Sequence, residues 1–172
     1  MQVLATQRLT LRTMCVADAA FMLDLLNQPS WLRFIGDRGV TNLQQARSYI
    51  TNGALQSYQR LGFGFYVVEL NAQQVPIGIC GLTKRDYLPD VDLGYALLPQ
   101  YWSRGLASEA AAGVLEYSRT VLRLPRLAAI TSPDNHTSIR LLEKLGLRYE
   151  QTIVHPDTQE PLKLFAIALA GC

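Results

Sequence analysis

Histidine and cysteine are scarce in this chain. Two histidines, His136 and His155, and three cysteines, Cys15, Cys80 and Cys172, are scattered along it with no CxxC pair. That excludes the usual zinc spacings, and no metal is expected. An odd, widely spaced set of thiols points to a reducing compartment rather than to a disulfide framework. Long apolar runs are missing as well. The longest late stretch, Phe165 to Gly171, falls far short of the roughly 20 residues a membrane-crossing helix needs. The N-terminus carries Arg8 and Arg12 among polar residues instead of the apolar core of a signal segment, so a cytoplasmic location without membrane attachment is expected. Charge of one sign is lacking: 16 Lys and Arg face 14 Asp and Glu, and no basic block with interleaved aromatics marks a nucleic-acid surface. Neither GxxxxGK[ST] nor GxGxxG occurs, which removes the Walker and dinucleotide loops.

What is present is an ordinary globular composition, 49% hydrophobic and 17% charged over 172 residues, enough to bury one good core. One domain spanning 1–172 is expected. Period-2 patterns predict strands over 8–13, 63–70, 75–84, 92–98, 126–131, 148–154 and 162–169, and 3.6-period patterns predict helices over 16–27, 42–60, 105–122 and 135–145. The order is mixed α/β (α+β), with a parallel strand pair expected where the third helix crosses over. That helix is expected to bury Ala107, Ala111, Val114, Ser118 and Val121.

The segment DLGYALLPQYWSRGLASE, Asp92 to Glu109, is the most informative. In its strand, Leu93, Tyr95 and Leu97 alternate with Asp92, Gly94 and Ala96, so one face is bulky and the other small, leaving room for something to lie against it. A loop through Gly105 then enters an alanine-rich helix. N–H groups from about Ser103 to Ser108 lie at the positive end of the helix dipole, an arrangement suited to phosphate. Each residue also has a plainer role: Gly105 could serve only a tight turn, Asn135 is an excellent N-cap, Ser138 could be a small helical residue, Asp92 a solvated carboxylate, and Cys80 buried packing.

The loop resembles the acyl-CoA loop of the GNAT superfamily of N-acetyltransferases, written Q/R-x-x-G-x-G/A. Trp102 stands at the Gln/Arg place, Gly105 at the glycine and Ala107 at the Gly/Ala place. WSRGLASEA is most similar to the WGKGYATEA-like loop of the RimJ/RimL-like branch, with Ser103 in place of the first glycine. RLTLRTMCVADA, PIGICGL and PDNHTSIRLLEKLGLRYE resemble the branch's opening strand and helix, third strand and N-x-x-S helix, in the same order.

The resemblance implies a mixed sheet of about seven strands with about four helices, splayed between the fourth strand (92–98) and the fifth (126–131). It implies acetyl-CoA as donor and a primary amine as acceptor, either a protein or peptide N-terminus or a small amine. A catalytically weak acyl-CoA-binding module is the alternative, and a homodimer stays open. Tyr95, Ala96 and Leu97 would pair with pantetheine, and the Leu97 N–H would polarise the acetyl carbonyl. Ser103, Arg104, Gly105, Leu106, Ala107 and Ser108 would hold pyrophosphate beside Trp102, while Asn135 and Ser138 would meet the pantetheine arm. Asp92 is the candidate base. Many family members carry a thiolate-protonating tyrosine seven residues after the motif Asn. Leu142 stands there, which leaves Ser138 as donor. Trp31 and Phe34, in the turn-rich stretch 28–39, are read as part of the acceptor pocket.

Overall fold

A computed structural model describes residues 1–169; Ala170, Gly171 and Cys172 lie outside the described residues. Its sheet has eight strands in the order β1-β2-β3-β4-β5-β6-β8-β7. They are β1 Gln2–Ala5, β2 Leu9–Thr13, β3 Phe65–Leu70, β4 Val75–Lys84, β5 Val91–Leu97, β6 Arg126–Thr131, β7 Arg148–Val154 and β8 Pro161–Ala168. The helices are α1 Ala19–Leu26, α2 Pro29–Phe34, α3 Leu43–Ile50, α4 Gln56–Leu61, α5 Leu106–Thr120 and α6 His136–Lys144. A π-helical segment, Thr51–Leu55, runs α3 into α4 without a break. Two elements exceed the sequence expectation. One is β1, a four-residue edge strand. The other is α2, which Pro29 opens at a position where its missing N–H costs nothing.

All pairings are antiparallel except β5 with β6. That parallel contact is slight. Strand β5 matches β4 from Gly78↔Leu97 to Lys84↔Val91, but meets β6 only at Asp92↔Ala128. The two strands therefore part beyond Asp92, the expected splay.

The sheet divides the core. On one face α5 packs Leu106, Ala110, Ala111 and Val114 against Leu93, Leu97 and Val68. On the other, α1, α2 and α3 pack Met22, Leu25, Trp31, Ala46 and Ile50 against Val67, Ile79 and Leu98. The buried stripe of α5 corrects the sequence expectation: Ala111, Val114 and Ser118 are buried, but Leu106, Ala110 and Leu115 join them. Val121 lies past the helix end, largely exposed. Gly113 lets β1 approach α5, since a Cβ there would meet Leu4 Cδ1 at 3.0 Å and Thr6 Cγ2 at 3.1 Å. No helix among the described residues is long and apolar enough to cross a membrane.

Candidate active site

The free edge of β5 follows from strand parity. The Leu98 N–H donates to the Ile77 carbonyl of β4 at 2.8 Å. Alternation then turns the N–H and C=O of Leu97 and Tyr95 the other way, into the gap that β6 leaves open. The Leu97 carbonyl is already used, accepting from Trp102 Nε1 at 2.8 Å. Its N–H faces the gap with no strand opposite.

The loop after β5 is shaped by two left-handed residues, Ser103 at φ 58° and Gly105 at φ 74°. Serine tolerates this region poorly, and glycine would adopt it without strain. The first helical bond of α5 runs from the Glu109 N–H to the Gly105 carbonyl, 3.0 Å. The N–H groups of Leu106, Ala107 and Ser108 precede it and have no carbonyl partner. They form a concave donor set at the N-terminus of a 15-residue helix, where an anion is favoured.

A strut that the sequence reading missed holds this loop. Glu109 Oε1 accepts from Thr6 Oγ1 at 2.6 Å and from the Arg8 N–H at 2.8 Å, and its Oε2 pairs with Arg8 Nε at 2.6 Å. Arg8 Nη1 reaches back to the Arg104 carbonyl at 3.0 Å. These donors hold the Glu109 carboxyl below the usual range despite the opposing effect of desolvation. The only sequence signal was that Arg8 and Glu109 both fall within family-like blocks.

Across the gap, α6 begins at Asn135, whose Oδ1 accepts from the Ser138 N–H at 3.2 Å, so the N-cap role holds. Ser138 Oγ lies 2.8 Å from the Tyr95 hydroxyl. The structure thus joins Tyr95 and Ser138 as side chains, a pairing the sequence did not reveal. Burial pushes the Tyr95 hydroxyl up to about 12, so it stays protonated near neutrality and can donate. Leu142 is fully buried with Ala129, Leu147 and Phe165, and places no donor in the gap.

Three expectations need correction. Asp92 is 1% exposed at the closed end of the gap, held by Arg85 Nε at 3.2 Å from both oxygens. It lies five residues, about 16 Å along the strand, from Leu97. Burial raises it to about 6, with Arg85 offsetting part of the shift. Its basicity suits a proton acceptor, but its position does not. Trp31 is 5% exposed, packed in the core between helices and sheet, and so is not a pocket wall. Phe34 carries the Arg33 guanidinium 4.7 Å above its ring, and Arg33 pairs with Asp134 at 3.1 Å beside the α6 cap. Neither aromatic lines the neighbouring cavity. The room expected over the small face of β5 is also filled: a Cβ on Gly94 would meet Phe65 Cζ at 2.8 Å. Cys80 is fully buried, and desolvation raises its thiol, in keeping with packing.

Beyond Phe65 lies a cavity of about 880 Å³ between α3 and β4. Ile79, which lines it, is the register partner of Ala96, next to Leu97. The cavity lies on the α1–α3 face and α5 on the other, so the β5–β6 gap stands between an anion-suited loop and a chamber of mixed polar and apolar lining. Two substrates could meet there from opposite faces.

The acetyltransferase (GNAT) domain model matches residues 8–148. An uncharacterized N-acetyltransferase, p20 of Bacillus licheniformis, is 32% identical over 151 residues, covering 87% of this chain and 84% of that protein. Among solved structures, RimL, a ribosomal alpha-N-protein acetyltransferase in complex with coenzyme A, superposes with a TM-score of 0.83 at 16% identity, covering 98% of each chain. Spermidine N-acetyltransferase from Vibrio cholerae, in complex with CoA and spermine, superposes at 0.80 with 20% identity over 95% of this chain and 97% of that one. At those identities the structures speak for the fold, while the domain match and p20 speak for descent. The chain belongs to the GNAT acetyltransferase family.

Proposed function

We propose that residues 1–172 act as one cytoplasmic domain that transfers the acetyl group of acetyl-CoA to a primary amine, a protein N-terminal α-amine, by direct attack in a ternary complex. We place it in the RimJ/RimL-like branch, on its WSRGLASEA loop and N-x-x-S helix. The observation that carries the reading is the Leu97 N–H, turned away from β4 into the opening where β5 leaves β6 and one residue from the Ile79 end of the cavity. A second reading, a small-molecule amine as acceptor, draws on the same cavity, whose roughly 880 Å³ has room for one.

The residues fit the donor. Acetyl-CoA supplies an activated thioester. The N–H groups at Ser103–Ser108, with Arg104, would bind the pyrophosphate, and the Tyr95 backbone would align pantetheine; Ala96, expected to share that role, instead turns its N–H and C=O toward Ile79 of β4. The Leu97 N–H would donate to the acetyl oxygen as negative charge develops there, and a fixed strand amide would need little reorganisation to do so. Ser138 Oγ would give its proton to the leaving thiolate, and the proton shed by the attacking amine would return through solvent to Ser138, which the Tyr95 hydroxyl holds in place. The candidate carboxylate, Asp92, lies five residues from Leu97 along β5, so the amine would have to arrive largely unprotonated. An α-amine, titrating near roughly 7.7–8.0, meets that demand better than a lysine near roughly 10.4.

A peptide carrying both a free small N-terminal residue and an internal lysine tests the reading by mass spectrometry. We expect acetylation at the terminus, with kcat/KM rising from about pH 6 to 8 as the α-amine deprotonates. An inflection near 6 that vanishes in Asp92→Asn would return Asp92 to the role of base. Modification confined to the lysine, or inertness of the peptide beside a reactive small amine, overturns the N-terminal acceptor.

Ser138→Ala should lower kcat about tenfold or more with little change in acetyl-CoA affinity. Unchanged kcat, where chemistry limits turnover, would leave Ser138 only the first turn of α6.

A further inference from the structure

The cavity beside Ile79 has a charge pattern that the acetyl-transfer reading does not use. Arg38 and Arg85 line it together with Gln45, Asn52 and Tyr49, and no Asp or Glu is among the described residues around it. Arg38, Tyr49 and Arg85 line the same chamber. Arg85 holds Asp92 through Nε, one of its five N–H donors. Arg38 forms no ion pair among the described residues. Its sequence neighbour Asp37 turns to the Gly39 N–H, 2.7 Å away, and is not a lining residue. With Asp92 ionised, one guanidinium charge is left over.

The chamber is also elongated along β4. From Ile79, beside the Leu97 end of β5, to Thr83, opposite Asp92, its floor follows four residues of β4, about 13 Å. The roof is the turn where α3 widens into the π segment, and such widened turns often mark functional sites. A polycation would face like charge here and find no carboxylate to bind. A carboxylate would find Arg38, the remaining donors of Arg85, and the Tyr49 hydroxyl.

Resting on amine acetylation at this site, we propose that the acceptor is a primary amine that also bears a carboxylate, held by Arg38 and Arg85 at the end of the cavity away from Leu97. The carboxylate can come from an acidic side chain near a peptide N-terminus or from a free amino acid, and the two sources are separable.

Two acceptor pairs are compared at fixed acetyl-CoA: a peptide with glutamate at its second residue against the same peptide with glutamine, and a free ω-amino acid against its amide. In whichever pair is turned over, we expect the acid member to have a kcat/KM about tenfold higher, mostly through KM, as one charge-assisted hydrogen bond made partly in solvent would give. Arg38 is exposed, so Arg38→Gln and Arg38→Glu should fold; the first should bring the ratio toward one and the second invert it. Turnover that ignores the carboxylate, or that prefers spermidine, overturns the proposal and leaves acetyl transfer standing. Inertness of every amine removes both. Preference for the acidic peptide alone identifies a protein acceptor, and for the free amino acid alone a small metabolite.

Discussion

Gly105→Val should raise the acetyl-CoA dissociation constant on the order of a hundredfold, the loss of two charge-assisted N–H contacts to phosphate. Gly105 has φ 74°, and an added Cβ would meet only Arg8 Nη2 at an ordinary 3.5 Å. Packing therefore leaves space for a side chain, and the fold should survive, at a local strain of about 1–2 kcal/mol. A β-branched residue would resist the left-handed turn that presents the Leu106–Ser108 N–H groups, and its methyls would stand at the backbone surface that phosphate must approach. Gly105→Ala should fall between the two. Calorimetric titration with acetyl-CoA reads the effect, and circular dichroism confirms folding. A folded valine variant with unchanged affinity would remove the loop from the binding site.

The strut beneath the loop gives that experiment an internal comparison. Glu109 ties the loop to Thr6 and Arg8 by contacts that leave its upper N–H groups free. It shapes the loop from behind, while Gly105 acts at the surface.

How much of this was legible in the sequence depends on how local each feature is. The β5–loop–α5 unit is written in one continuous segment, where period-2 alternation, Gly105 and an alanine-rich run follow one another, so both the element boundaries and the anion-suited loop could be read. The Asn135 cap is likewise a four-residue signal. The Arg8–Glu109 pair spans 101 residues and the Tyr95–Ser138 pair 43, and neither residue of either pair marks its partner in the sequence. Gly94 looked like room for a ligand because the filling ring, Phe65, comes from β3, two strands away in the sheet. Trp31 read as a cleft aromatic because Pro, Gly and Asp around it resemble a loop, while the six residues Pro29–Phe34 fold as α2 and turn it inward. Asp92 shows that parity alone places a side chain on a face but does not set its level along the strand.

Exchanging the Leu97 peptide N–H for an ester oxygen, with leucic acid in place of Leu97, should lower kcat by about 10²–10³, the size expected for one lost oxyanion donor. A side-chain substitution cannot test this, because Leu97 is buried against α5 and truncating it would cost core packing. The ester keeps that packing and leaves the Leu97 carbonyl to accept from Trp102 Nε1. It also removes no ladder bond, since this N–H faces the gap and not β4. The main structural cost is a weaker Ala96 carbonyl as acceptor toward β4. The same exchange at Tyr95, whose N–H also faces the gap but lies two residues further from the cavity end, should weaken acetyl-CoA binding and leave kcat nearly intact. The contrast separates a group that holds the donor in the ground state from one that acts as charge develops. If both esters changed only affinity, the Leu97 N–H would be a pantetheine contact, and the acetyl oxygen would have to be polarised from elsewhere.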